Sequence, residues 1–304
     1  MLNTEGDVRT FQGFHDGELA VQRQAGVERE ARRLEGMLDL PDLSGGAGRF
    51  LADRTFAALS ARDAYGRLWT TALRGPAGFL RASGRSLTVA AAPGLGDPLR
   101  ELAVGGQVGM VAVEFAARRR VRVNGRLVAV RPDHLEIEVD QAYGNCPQYI
   151  SPRTLVDAGG ETGGAPGMRD DRLSAADRAL IRGTDTFFIG TAHPSRGADV
   201  SHRGGPVGFL HVEGETVSWP DLPGNNMFNT LGNLASDPAS SLLFVDWADG
   251  DVLAVSGTAV VEWSDQPVDA LGGTGRRVVF TTEAVVRRQD LSLRAVGSGS
   301  AGTR

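Results

Sequence analysis

The sequence predicts a mainly β chain with short helices (α+β), built as two tandem antiparallel barrels behind an N-terminal helical extension. Three observations lead there. Gly75-Pro76-Ala77-Gly78-Phe79-Leu80 returns 130 residues later as Gly205-Pro206-Val207-Gly208-Phe209-Leu210. The surroundings keep step: Pro93-Gly94 answers to Pro223-Gly224, and Asn124-Gly125-Arg126 to Ser256-Gly257-Thr258 at an offset of 132. Self-similarity at a fixed offset marks a duplicated unit. Within each copy, short strand-like runs follow turn signals at close spacing, which favours an antiparallel barrel over alternating strand–helix units.

Residues 1–48 lie outside the repeat. Positions 17–40 are charged and rich in helix formers, with apolar Leu19, Val21, Val27, Leu34 and Leu38, so one or two amphipathic helices are expected. Residues 44–48 (SGGAG) read as a flexible joint. The first barrel, 49–158, should hold a helix over 50–61 and strands over 67–73, 78–82, 86–91, 108–115, 119–130 and 135–139, with a short helix over 96–102. A glycine-rich linker, 159–167, leads to the second barrel, 168–290. That barrel opens with a helix over 174–182, capped by Ser174 with Asp177 three residues on. Strands are expected over 186–192, 208–212, 216–219, 241–246, 252–263 and 277–286, and a helix over 227–235. Residues 291–304 read as a tail, disordered from 297.

The chain's 304 residues suffice for two buried cores, and 41% apolar content with a net charge of −5 fits a soluble globular protein. No apolar run is long enough to span a bilayer, and the first twenty residues lack a secretory signal, so no membrane partner and a cytoplasmic location are expected. The acidic balance argues against a nucleic-acid partner. The single Cys146 excludes an internal disulfide and an all-cysteine metal site. All 32 basic residues are Arg. Without a Lys there is no Schiff base and no Walker-type phosphate lysine, so any bound phosphate must be held by guanidinium, amide or hydroxyl groups.

Four segments carry chemistry. Asn225, Asn226, Asn229 and Thr230 flank the expected start of the 227–235 helix. A helix N-terminus suits a phosphate, although the amides could equally serve as caps. In Ser201-His202-Arg203-Gly204-Gly205 the glycines would let an anion approach the backbone beside Arg203, unless the segment is a plain exposed hairpin. On a strand, Arg118, Arg120 and Arg122 share one face and Arg119 the other. Such a row needs carboxylates from the other copy, a phosphate-bearing cofactor or open solvent. Finally, residues 141–150 hold Tyr143, Asn145, Cys146 and Tyr149 around Pro147, which fits the first turn of a helix. Two of the chain's three Tyr fall here, to wall a flat ligand or to pack the helix on the barrel. His193, His202 and His211 are too widely spaced for a helical metal pair, and no metal is expected.

Side by side, these segments resemble the pyridoxamine 5'-phosphate oxidase-like flavin-binding split-barrel superfamily, and within it the two-barrel flavin-nucleotide-binding proteins of bacteria. The resemblance rests on Phe14-His15-Asp16-Gly17-Glu18, Gly66-Arg67-Leu68-Trp69-Thr70, Arg118 through Gly125, Tyr143 through Ile150, Ser201 through Gly205, and Trp219 through Asn233. It implies split barrels and FMN held at an interface, between the tandem copies or between two chains of a homodimer. Arg119-Arg120-Val121-Arg122 matches the family's Arg-Gln-Val-Arg strand, while its Ser-x-Lys phosphate contact has no counterpart, Asn229-Thr230 standing there without a Lys.

The implied cofactor site is Arg120, Arg122, Ser201, Arg203, Trp219, Asn225, Asn226, Asn229 and Thr230, with Tyr143, Asn145, Cys146 and Tyr149 around a small-molecule substrate. The expected activity is FMN-dependent oxidation or reduction, with no protein residue assigned to catalysis. Vitamin B6 oxidation itself is not expected, because the duplicated architecture differs from the single-barrel enzyme. The rival expectation is a flavin- or haem-binding carrier or sensor without turnover, with His193, His202 or His211 as iron ligand.

Overall fold

The structure is a computed structural model and describes residues 13–144, 146–157, 159, 167–264, 273–289 and 291–296. After helix α1 (Asp16–Ala25), helix α2 (Glu28–Arg32) and a 3-10 turn (Glu35–Leu38), a third helix, α3 (Gly46–Ala52), leads into seven strands. These are β1 (Phe56–Arg62), β2 (Leu68–Arg74), β3 (Leu80–Ser83), β4 (Ser86–Val89), β5 (Gln107–Glu114), β6 (Arg119–Val130) and β7 (Leu135–Gly144). They pair in the order β2-β1-β5-β6-β7-β4-β3. Two short strands, β8 (Thr154–Asp157) and β9 (Met168–Asp170), precede helix α4 (Ala175–Gly183) and the second set. That set is β10 (Thr186–His193), β11 (Gly197–Gly204), β12 (His211–Glu213), β13 (Thr216–Pro220), β14 (Ala239–Val245), β15 (Val252–Trp263) and β16 (Arg276–Arg288), with helix α5 (Asn229–Ser236) between β13 and β14. Its order is β11-β10-β14-β15-β16-β13-β12. Strand for strand, this is the order of the first set, all antiparallel.

The repeated hexapeptide makes the same turn twice. Phe79 N–H donates to Pro76 O at 2.9 Å and Phe209 N–H to Pro206 O at 3.0 Å. Gly78 and Gly208 hold φ of 92° and 89°, a region that a side chain resists. The second echo also has a structural cause: the register slips between Asn124 and Gly125 in β6 and between Ser256 and Gly257 in β15. The extra residue lies on the partner strand, Asp140 of β7 and Glu283 of β16, so each barrel carries a bulge at the equivalent place.

The barrels press together through β1, β2 and β5 of the first and β10, β11 and β14 of the second. Alternate residues of the seam strands therefore serve different cores. Phe187 and Ile189 of β10 join the second core, whereas Phe188 crosses the seam to Phe56, ring centroids 5.5 Å apart. This accounts for one departure from the expected elements. Residues 56–61 are buried on both faces and read as a continuous apolar run; they form strand β1, and the helix expected over 50–61 ends at Ala52.

Strand β11 was not expected because its sequence is polar; its side chains meet partners across the seam and in the cleft described below. The short helix over 96–102 is a series of turns, and no helix follows Pro147. Gly46 opens α3, so 44–48 is not a plain joint, and Arg118 (φ 51°) lies in the turn before β6, off the Arg row. Within the stretch read as a tail, Leu293–Val296 forms strand β17, paired with β8. Linker residues 160–166 and tail residues 297–304 lie outside the described residues.

Ser174 caps α4 through a reciprocal bond with Asp177, and α5 starts at Asn229, close to the expected 227. The first barrel carries no helix at the place of α5. On α5 sits α1, so near that a Cβ on Gly17 would stand 2.2 Å from Gly232 O. None of the described helices is long and apolar enough to cross a membrane.

Candidate functional site

On the seam, β6 of the first barrel faces β11 and β13 of the second across a cleft of ≈ 620 Å³, counting space open to solvent. Arg120 and Arg122 come from β6, His202 and Arg203 from β11, Trp219 from β13, and Asn225 from the loop after it. The far lip is the 146–149 segment, with Cys146 and Tyr149. Gly204 lets this segment lie on β11: a Cβ there would stand 1.9 Å from Tyr149 O. The cleft is thus lined by both halves of one chain.

Its charge is one-sided. Arg122 has a counter-ion, donating through Nη1 to Asp199 Oδ2 at 3.1 Å and to Oδ1 at 3.4 Å. Carboxylates from the other copy were one of the three neighbours the sequence allowed for this row, and Asp199 of β11 is one. Burial acts against the Arg122 charge, but Asp199 and Tyr143 more than offset it and raise its pKa. Arg120 has no such partner among the described residues: burial, then Arg122 and Arg203, push it down to about 9. Arg203 is also pushed down by burial, against the pull of Asp221. Asp221 is engaged elsewhere, accepting from Arg276 Nε at 2.8 Å.

The hydrogen bonds carry the same asymmetry. Arg120 Nη1 lies 3.0 Å from His202 Nδ1. A guanidinium can only donate, so Nδ1 accepts and the proton of a neutral His202 sits on Nε2. Burial and then Arg120 hold the His202 pKa far below its ordinary value, keeping it neutral. Arg120 Nε, Arg122 Nε and His202 Nε2 are buried without a partner among the described residues. All three are donors, and leaving such groups unpaired is costly. An acceptor-rich anion satisfies them and the surplus charge together.

The cleft gathers Arg120, Arg122, Cys146, Tyr149, Arg203, Trp219 and Asn225 from the residues singled out in the sequence. The others stand elsewhere. Ser201 and Thr230 bond each other's hydroxyls at 2.8 Å in the interior. Asn226 sits in the loop before α5 with φ of 60°, outside the cleft lining. Tyr143 and Asn229 line a smaller cavity behind Arg122. Asn145 lies outside the described residues.

That smaller cavity, ≈ 310 Å³ counting space open to solvent, includes Glu18 and His15 from α1 and the residue before it, with Asn124 and Asp199. Burial pushes Glu18 up to about 7 and His15 down to about 3. His15, Asp16 and His193 place potential ligand atoms within 4.8 Å of one another, the spacing of a metal site. The tautomers oppose that use. His15 Nδ1 accepts from Glu18 N–H, and His193 Nδ1 from Ser195 N–H. Each neutral ring therefore carries its proton on Nε2, and His193 Nε2 donates it to Asp16 Oδ1 at 3.0 Å. A ligating histidine donates through its other nitrogen, and these two accept there. By the same logic His202 Nε2, bearing its proton, is not an iron ligand, and His211 is exposed on β12.

Sequence reasoning missed Asp199, Glu18 and the role of His202. The signals were present: Asp199 lies two residues before Ser201, and Glu18 and His15 fall within the Phe14–Glu18 motif. Only the fold brings them behind the Arg row.

Residues 173–291, less than half of the chain, match the family model for pyridoxamine 5'-phosphate oxidase. Similar solved structures include the HupZ protein of Group A Streptococcus (12% identity, covering 41% of this chain and 99% of that one, TM-score 0.32). Others are a putative pyridoxamine 5'-phosphate oxidase from Lactobacillus delbrueckii (13%, 39% and 97%, 0.32) and an FAD-binding protein from Mesorhizobium loti (12%, 40% and 98%, 0.29). No curated protein matches the chain.

Proposed function

We propose that this chain, which carries a pyridoxamine 5'-phosphate oxidase-like split barrel, binds FMN in the seam cleft and works as an oxidoreductase on a small molecule. The observation behind this reading is the set of three buried donors without acceptors among the described residues, on Arg120, Arg122 and His202, in a cleft where Arg122 alone of the three guanidinium groups is bonded to a carboxylate, that of Asp199. Phosphate fits that donor set in charge and in hydrogen-bond polarity. Arg120, Arg122 and Arg203 would hold it without the family's Lys. Tyr149 offers exposed flat surface for a ring, with the buried Phe209 and Trp219 in the wall beside it, and Gln148 and Asn225 offer amides for its edge.

Bound FMN supplies hydride or electron transfer. The chain contributes an electropositive, partly desolvated seat, which favours a ligand that carries or gains negative charge. Both walls come from one chain, so the reading needs no second copy. A carrier or sensor without turnover is the second reading. It is favoured by the described lining of the cleft, in which the one carboxylate, Asp221, is paired with Arg276 and not free.

The test is FMN fluorescence titrated with the purified full chain, followed by a reduced nicotinamide under anaerobic conditions. Saturable quenching and bleaching of the visible band support the enzyme. Saturable quenching with a band that persists favours the carrier, and no quenching overturns both.

A further inference from the structure

Glu18 belongs to neither barrel. It is carried by α1, which rests on α5 at backbone contact: a Cβ on Gly232 would stand 2.6 Å from Glu18 N. Glu18 is 3% exposed, and both carboxyl oxygens are engaged. Oε2 accepts from His15 N–H at 2.9 Å, and Oε1 accepts from Asn229 Nδ2. The other end of that amide, Asn229 Oδ1, accepts from Arg122 Nη1 at 3.4 Å, and Arg122 lines the cleft. The polarity of this chain is forced. A carboxylate only accepts and a guanidinium only donates, so the amide between them has one workable orientation.

We propose that Glu18 is a positioning residue of the cleft: acting through Asn229, it fixes the Arg122 guanidinium that meets the ligand, and it makes the N-terminal extension part of the binding site. The identity of the ligand rests on the flavin-nucleotide reading above. The titratable and charged groups around Glu18 are His15 on its own segment, His193 and Arg196 at the end of β10 and in the turn beyond, Asp199 of β11 and Tyr143 of β7. Arg122 reaches it through Asn229. Burial places Glu18 at about 7, while His15 at about 3 and Tyr143, raised by burial, stay neutral through that range. A proton on Glu18 would have to occupy an oxygen that already receives an N–H. Asn229 then loses its fixed orientation, and Arg122 is left with Asp199 alone behind it.

The experiment titrates FMN by fluorescence into the full-length wild type, Glu18→Gln, Asn229→Ala and the double variant at pH 6, 7 and 8, with thermal melts to establish folding. Wild-type affinity should rise through pH 7 by more than the phosphate's own second ionisation near about 6 accounts for. Glu18→Gln should lose that excess and bind about tenfold more weakly at pH 8. The double variant should be no weaker than either single one, since members of one chain of contacts are not additive. Additive losses, or a Glu18→Gln profile parallel to the wild type, overturn the proposal. If Glu18→Gln fails to fold, Asn229→Ala decides: loss of the excess supports it and persistence overturns it. A wild type that binds no FMN removes the flavin reading and this proposal together, whereas binding with additive losses removes only the role of Glu18.

Discussion

Arg203 and Leu73 stand on the same rung of the two barrels. Arg203 pairs with Phe187 of β10, and Leu73 pairs with the equivalent Ala57 of β1. By the same registers Arg120 and Arg122 correspond to Val252 and Ala254. The internal two-fold relation therefore generates a twin cleft, walled by Ala72, Leu73, Ala91 and Leu291, without the three cations. Its own arginines are engaged: Arg288 pairs with Asp97 at 2.6 Å, and Arg74 donates to Ser292 at 3.0 Å. Calorimetric titration should saturate at one FMN per chain. Two equivalent sites would show that the arginines do not define the seat.

Arg203→Ala and Arg120→Ala should each weaken FMN binding by about 1.5–3 kcal/mol, the usual worth of a charged hydrogen bond. Leu73→Ala, the same kind of truncation in the twin cleft, should leave the affinity unchanged. Wild-type affinity in both Arg variants would take those side chains out of the site.

Asp199→Ala should unfold more easily in urea by about 3–5 kcal/mol, because it leaves Arg122 buried without its counter-ion. Both partners are nearly inaccessible, with 6% and 5% of the side-chain surface exposed. A loss below about 1 kcal/mol, typical of exposed pairs, would mean that water reaches Arg122.

Glu18 also links stability to pH. Its folded pKa, about 7, lies above the ordinary carboxyl value of 4.5. Its contribution is then most favourable below pH 4.5 and fades as pH rises through 7, because ionising it costs more in the fold than in the unfolded chain. The melting temperature of wild type relative to Glu18→Gln should fall between pH 5 and pH 8. A constant difference would show that Glu18 keeps one charge state throughout.

The duplication and the barrel class were legible because they are written in local chemistry. Gly78 and Gly208 must make a left-handed turn, and Gly125 and Gly257 must sit at a bulge, so those letters recur. Strand β1 was not legible, since burial on both faces erases the alternation that marks a strand. Strand β11 failed for the opposite reason: Asp199, Ser201 and His202 look solvent-bound until Arg122, Thr230 and Arg120 are placed against them. Arg120 and Arg122 were picked out as one row and Arg203 from a separate segment, and only the family resemblance put the three in one site. That they share one cleft depends on strand registers 81 and 83 residues apart, which no local pattern records.

The crossed attachments at the chain's two ends have a consequence for its integrity. Helix α1, ahead of the first barrel, roofs α5 of the second, and β17, beyond the second barrel, zips to β8 at the end of the first. A protease cut between β8 and β9 would therefore leave two fragments that still clasp each other. The doubled gene has produced an interlocked object, not beads on a string, and neither half could be transplanted into another polypeptide without tearing part of the other away.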